Sequence, residues 1–126
     1  MIEFLKTPQT FWQAPYCQAV KAGDFLFVTG QVAVDPATGK FVANEPETQA
    51  RRVMENLKIV LEHAGASFGQ VVSTRVFLTD MRDYEVFNAV YEEYMGTQLP
   101  SRTCIGVTAL AGGARVEVDF IVYLGE

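Results

Sequence analysis

The chain has 126 residues and a formal net charge of −5, with 49% hydrophobic and 20% charged residues. That size suits one domain burying about two thirds of its unfolded surface, and no apolar run approaches the roughly 20 residues needed to cross a bilayer. The negative balance repels a phosphate backbone, so neither nucleic acid nor a membrane is an expected partner. The opening "MIEFLKTPQTFW" has no basic segment followed by an apolar run and a small-residue cleavage site, which points to a cytoplasmic location. The two cysteines, Cys17 and Cys104, have no CxxC spacing and no histidine cluster, and read as free thiols in a reducing compartment.

Phe11 and Trp12 read as anchors of the N-terminal stretch. "CQAVKAG" then pairs as a hairpin with "DFLFVTGQVAV", in which Phe25 to Thr29 form a strand, and Asp35 to Lys40 make a tight turn. "ANEPETQARRVMENLKIVLEHAG" has the pattern of an amphipathic helix, with Asn44 as cap, Pro46 in the first turn, Glu47 completing a capping box and Gly65 as the stop. Ala50, Val53, Met54, Leu57, Val60, Leu61 and Ala64 make one apolar stripe along it. "VVSTRVFLT" returns to a strand. "DYEVFNAVYEEYMG" is a second helix, capped by Asp83, closed by Gly96, and burying Val86, Phe87, Val90, Tyr91 and Tyr94.

"RTCIGVTAL" and "RVEVDFIVYL" follow as two strands that the connection "AGGA" predicts to be a hairpin. In the second, Val116, Val118, Phe120, Val122 and Leu124 share one face, and Arg115, Glu117 and Asp119 the other. The order of elements predicts an α+β layer in which both helices cover one side of a mixed sheet. The other side is left to solvent or to another subunit.

Arg102 is the residue that asks for an explanation. Strand alternation puts it on one face with Cys104, while Thr103, Ile105 and Val107 point the other way. In the expected hairpin Glu117 faces Thr108, six positions and roughly 20 Å from Arg102, too far for the two to share a site within one chain. A site using both must then lie between subunits. The plainer readings are a surface ion pair for Arg102, a solvent-facing carboxylate for Glu117 and a packing aromatic for Tyr16. Cys104 reads as a small buried hydrophobe rather than a nucleophile. His63, the single histidine, belongs at a helix end, which leaves no Ser-His-Asp triad and no multi-histidine metal site.

"APYCQAV", "VTGQVAVDPATGK", "QARRVMENLKIVLEHAG", "FNAVYEEYM", "LPSRTCIGV" and "RVEVDF", in this order and spacing, resemble the RidA/YjgF family of small imine and enamine deaminases over nearly the whole chain. The resemblance implies a chorismate-mutase-like fold and a homotrimer with helices outside, sheets facing the threefold interior and sites at the subunit boundaries. It implies that Arg102 binds the carboxylate of a small 2-imino or 2-keto acid, and that Tyr16, Thr29, Gly30, Asn88, Thr103 and Cys104 line the pocket. It implies too that Glu117 positions and activates the attacking water, with no metal or organic cofactor. Thr29 stands where the family commonly has serine, keeping the hydroxyl and adding a methyl. Thr103 and Thr108 also differ in shape from the usual occupants. Two other readings stay open: an endoribonuclease or translation inhibitor, disfavoured by the acidic balance, and a non-catalytic ligand-binding or chaperone-like trimer.

Overall fold

The computed structural model describes residues 1–7 and 14–125, so Phe11 and Trp12 lie outside the described residues. Its strands are β1 (Ile2–Leu5), β2 (Ala19–Ala22), β3 (Phe25–Gln31), β4 (Val34–Asp35), β5 (Lys40–Phe41), β6 (Val71–Leu78), β7 (Ser101–Gly106) and β8 (Val116–Tyr123). Two helices, α1 (Pro46–His63) and α2 (Tyr84–Met95), lie between them. Six of the strands form one mixed sheet in the order β1-β2-β3-β8-β6-β7, and β4 and β5 close a small ribbon around the expected Asp35 turn. There the Asp35 carboxylate accepts the Ala37 amide at 2.8 Å, a short-range bond that favours the turn. Among the described residues no helix is long and apolar enough to cross a membrane.

Both helices cover one face of the sheet, as the alternation and the helical stripes predict. Leu26, Val28, Val76, Leu78, Val116, Val118, Phe120 and Val122 on that face are buried against Val53, Met54, Leu57, Val60 and Leu61 of α1 and Phe87, Val90 and Tyr91 of α2. Burying each such side chain is worth about 1.5–3 kcal/mol, and this shared seam anchors the helices to the sheet.

The final hairpin does not form. β7 runs parallel to β6 at the sheet's edge, while β8 lies between β3 and β6 and is antiparallel to both. The chain between β7 and β8 crosses the end of β6, where Val107 N–H donates to the Leu78 carbonyl at 2.9 Å and Thr79 N–H to that of Arg115 at 3.1 Å. "AGGA" is a single 3₁₀ turn, Ala111–Gly113. The reason is burial: alternate residues of β8 are almost wholly buried, which suits a central strand paired along both edges, whereas β7 is exposed enough to be an edge.

The expected caps also shift. Glu45, not Asn44, caps α1, its carboxylate accepting the Thr48 amide at 2.9 Å and the Glu47 amide at 3.4 Å, because Pro46 starts the helix one residue later. Asn44 instead accepts a bond from Arg115 at 3.2 Å. Asp83 precedes α2 without capping it; its buried carboxylate takes two bonds from the Arg115 guanidinium, at 2.9 and 3.1 Å. Val86 is exposed rather than part of the buried side of α2, and Tyr94 is partly buried.

The uncovered face of the sheet is apolar over much of its area. The pairing registers place Ile2, Ala22, Phe25 and Tyr123 in one row, and Phe4, Val20, Phe27 and Ile121 in the next. Phe4 is 71% and Phe27 46% exposed. Arg75, Asp119 and Thr103 form a third row, and Phe77, Glu117 and Ile105 a fourth.

Candidate active site

Arg102 and Glu117 lie on opposite faces of the sheet. Arg102 pairs with Thr74 and Glu117 with Phe77, and these two neighbours are three residues apart on β6. An odd separation along a strand reverses the face. The along-strand offset is therefore roughly 10 Å rather than the 20 Å of the expected hairpin. The two residues are separated within the chain by facing, not by length.

On the helix side, Arg102 stands in an open cleft of about 450 Å³ between α2 and the chain entering β7, with Tyr84, Asn88, Leu99 and Pro100 among its walls. Its Nη2 donates to Asn88 Oδ1 at 2.7 Å. Its guanidinium carbon sits 4.9 Å from the centroid of the Tyr91 ring and 5.6 Å from those of Tyr84 and Phe87. Tyr84, Phe87, Asn88 and Tyr91 fall on one stripe of α2, so a single helix face makes the whole nest. All four partners are neutral. The ion pairs among the described residues occupy Arg51, Arg75, Arg82 and Arg115, and Arg102 is in none of them. The plain reading of Arg102 as a surface ion pair is thus not what the structure holds. A guanidinium flanked by rings, held by one amide oxygen and in none of these ion pairs is available to an incoming anion.

Cys104 shares the Arg102 face and is partly buried against the core. Burial pushes its thiol pKa up, against a smaller opposing pull from Arg102, which leaves a protonated sulfur at neutral pH and a wall rather than a nucleophile. Thr103 pairs with Arg75 and is exposed on the far face, so the structure does not bring its side chain to the cleft.

Tyr16, Thr29, Gly30 and Glu117 gather elsewhere. Between Val28 and Gln31, β3 carries one residue more than the paired stretch Val118–Phe120 of β8, so Thr29 and Gly30 form a β-bulge opposite Asp119. The Thr29 hydroxyl donates to the Cys17 carbonyl at 2.7 Å, which ties the bulge to the segment carrying Tyr16 and leaves the oxygen free only to accept. Gly30 has no side chain for a local reason: a Cβ there would collide with Glu117 Oε2 and lie 2.9 Å from its Cδ. Glu117 is half-buried, and its pKa is raised first by burial and then by the Asp119 charge, with Arg75 pulling the other way. Arg75 is itself held by Asp119 through contacts of 2.7–3.1 Å. The Tyr16 hydroxyl pKa is raised by burial and by the Glu117 charge, so it remains a donor at neutral pH.

The sequence reading names Arg102, Asn88 and Glu117, of which the structure brings the first two together, but it treats Phe87 and Tyr91 only as core and does not use Tyr84. Their spacing relative to Asn88 was the available signal. The Arg75–Asp119 pair beside Glu117 was also missed, although Asp119 shares the Glu117 face by simple alternation. Among the described residues no group of three or more His, Cys, Asp or Glu side chains is placed to hold a metal ion.

Comparison with known proteins agrees with this architecture. The family model described as endoribonuclease L-PSP matches residues 8–124. A RutC family protein of Pyrococcus horikoshii is 43% identical over 109 residues, 86% of each chain. The 2-iminobutanoate/2-iminopropanoate deaminase of Mus musculus is 38% identical over 111 residues, 88% of this chain and 82% of the mouse protein. Among solved structures, RidA from the Antarctic bacterium Psychrobacter superposes with a TM-score of 0.91 at 34% identity, covering 96% of this chain and 98% of the other. E. coli TdcF with bound serine gives 0.89 at 32% identity, covering 98% and 99%. With the match spanning the bulge, both helices and the Arg102 strand, the chain belongs to the RidA/YjgF family.

Proposed function

We propose that this protein hydrolyses small 2-imino and enamine acids, of the 2-aminoacrylate and 2-iminobutyrate class, to 2-keto acids and ammonia without a cofactor. The observation that carries the reading is Arg102, an arginine without a carboxylate partner among the described ion pairs, held by neutral groups in an open cleft. A relative with that deaminase activity in its name and a structural neighbour with bound serine support a small amino-acid-like ligand. The acidic balance of −5 counts against RNA as the substrate, despite the description carried by the family model.

The opposed facing of Arg102 and Glu117 favours a homotrimer with its sites at the subunit boundaries. β7 is an edge strand, so Arg102 stands at a rim that the apolar face of a neighbour can approach. That contact covers the exposed Phe4 and Phe27 rows and brings Glu117 of the partner subunit towards the cleft. The cell's cytoplasm, where pyridoxal-phosphate dehydratases release such imines, is the proposed place of action.

The substrate carboxylate docks on Arg102 in the bidentate geometry that guanidinium favours, with Asn88 fixing the guanidinium plane. Water attacks the iminium carbon while a glutamate carboxylate takes its proton, forming a carbinolamine. The same carboxyl returns the proton to the nitrogen; as the C–N bond breaks and ammonia departs, the carboxylate takes the hydroxyl proton so that the carbonyl forms. Passing that proton to the ammonia yields ammonium and restores the carboxylate. A carboxyl whose pKa is raised above the ordinary range suits both halves of that exchange. Holding the acid and one water in line supplies most of the acceleration a spontaneously hydrolysing imine needs.

The test couples a dehydratase that generates the imine to detection of keto-acid release. The wild type accelerates release, Arg102→Ala abolishes nearly all of the acceleration, and Cys104→Ala has a milder effect. Equal rates for the wild type and Arg102→Ala would end this reading.

A further inference from the structure

Resting on that reading of Arg102 as the carboxylate anchor, we infer that Tyr91, fixed by Thr74, is a positioning residue that aims the Arg102 guanidinium into the cleft. Tyr91 is buried, and its hydroxyl donates to Thr74 Oγ1 at 3.0 Å. Thr74 is 1% exposed and is the β6 residue directly paired with Arg102. The hydroxyl pair therefore spans from α2 to the strand beside the arginine, and it fixes the tilt of the ring. That ring is the nearest of the three around the guanidinium, at 4.9 Å against 5.6 Å for Tyr84 and Phe87. Phe87 packs beside it in a tilted arrangement, with ring centroids 5.6 Å apart and the planes 35° from parallel.

A buried hydroxyl in an otherwise apolar seam carries a desolvation cost that phenylalanine and valine avoid. The Thr74–Tyr91 bond offsets that cost and pins the hydroxyl end of the ring, so that the ring is held in place beside the guanidinium. Arg102 is then restrained by Asn88 at Nη2 and by the Tyr91 ring beside its guanidinium, at the wall of the cleft. Such preorganisation lowers the cost of binding a carboxylate and does nothing for the rest of the ligand.

The experiment titrates the purified protein with 2-oxobutanoate and with 2-oxobutanamide, which lacks the carboxylate. It compares wild type, Tyr91→Leu, Tyr91→Phe and Thr74→Val. Tyr91→Leu weakens 2-oxobutanoate binding about tenfold and leaves the amide unchanged, as loss of a desolvated cation–π contact requires. Tyr91→Phe, which restores the ring, recovers affinity to within about threefold, and Thr74→Val falls at a similar level. In turnover, Tyr91→Leu raises KM more than it lowers kcat. Should Tyr91→Leu not fold, the two single-hydroxyl variants carry the same selectivity test. Equal weakening of both ligands, or no change in either, overturns the inference while leaving the Arg102 reading intact. If the wild type itself does not bind 2-oxobutanoate, both fall.

Discussion

The Arg102 cleft and the Glu117 face are built in contrasting ways. Every contact that steadies Arg102 comes from the same chain: Asn88 and three rings on one helix stripe, with Thr74 behind. Glu117 has its bulge, its glycine and its Arg75–Asp119 neighbours, but it stands on a face where Ile2, Phe4, Phe25, Phe27, Ile105 and Tyr123 are 40–71% exposed. One half is preorganised by the fold of a single protomer. The other is shaped by the fold but left open, and in the proposed trimer it is completed only when a second copy covers it.

The sharpest way to break that contrast is to keep the sheet from being covered. Phe27→Asp puts a charge into the centre of the open face, where burial without a partner costs several kcal/mol. The expected result is loss of the trimer in sedimentation equilibrium and about a hundredfold or greater fall in activity, with the fold retained by circular dichroism. A fully active monomer would separate the chemistry from assembly and sink the intersubunit site.

Next in size is Gly30→Ala, which forces Glu117 away from the bulge. It lowers kcat by about tenfold to a hundredfold, in the range of a displaced general base, while 2-oxobutanoate affinity, which the proposed mechanism assigns to Arg102, stays near the wild-type value. A variant that loses both together would show that the two halves are not independent.

The smallest effect concerns pH. In the proposed mechanism Glu117 acts as a carboxylate, so its raised pKa places the acid limb of the rate profile above the ordinary glutamate range, with rate lost as pH falls through it. Asp119→Asn removes the neighbouring negative charge and leaves Arg75 in place, so the limb moves to lower pH. A limb that does not move, measured from pH 4 to pH 8, assigns the titration to another group.

Much of this protein was legible because it is local. The α1 stripe from Ala50 to Leu61 and the alternation of β8 are short-range periodicities, and burial follows them directly. The placement of Arg102 with Cys104 on one face followed from alternation alone. The neighbours of β7 were not legible in this way. The same alternating pattern fits a hairpin with β8 or a parallel pairing with β6, and a Gly-rich link permits both.

The amino-acid order by itself determined which residues form strands and helices, which side of each is apolar, and which family motifs are present, since all of these are set within a few residues of chain. Tertiary structure decided the rest. It chose β6 as the partner of β7, turned Arg102 and Glu117 to opposite faces, and wrapped the arginine in the α2 rings, because strand neighbours are selected by total burial across the sheet and not by the sequence of any one segment.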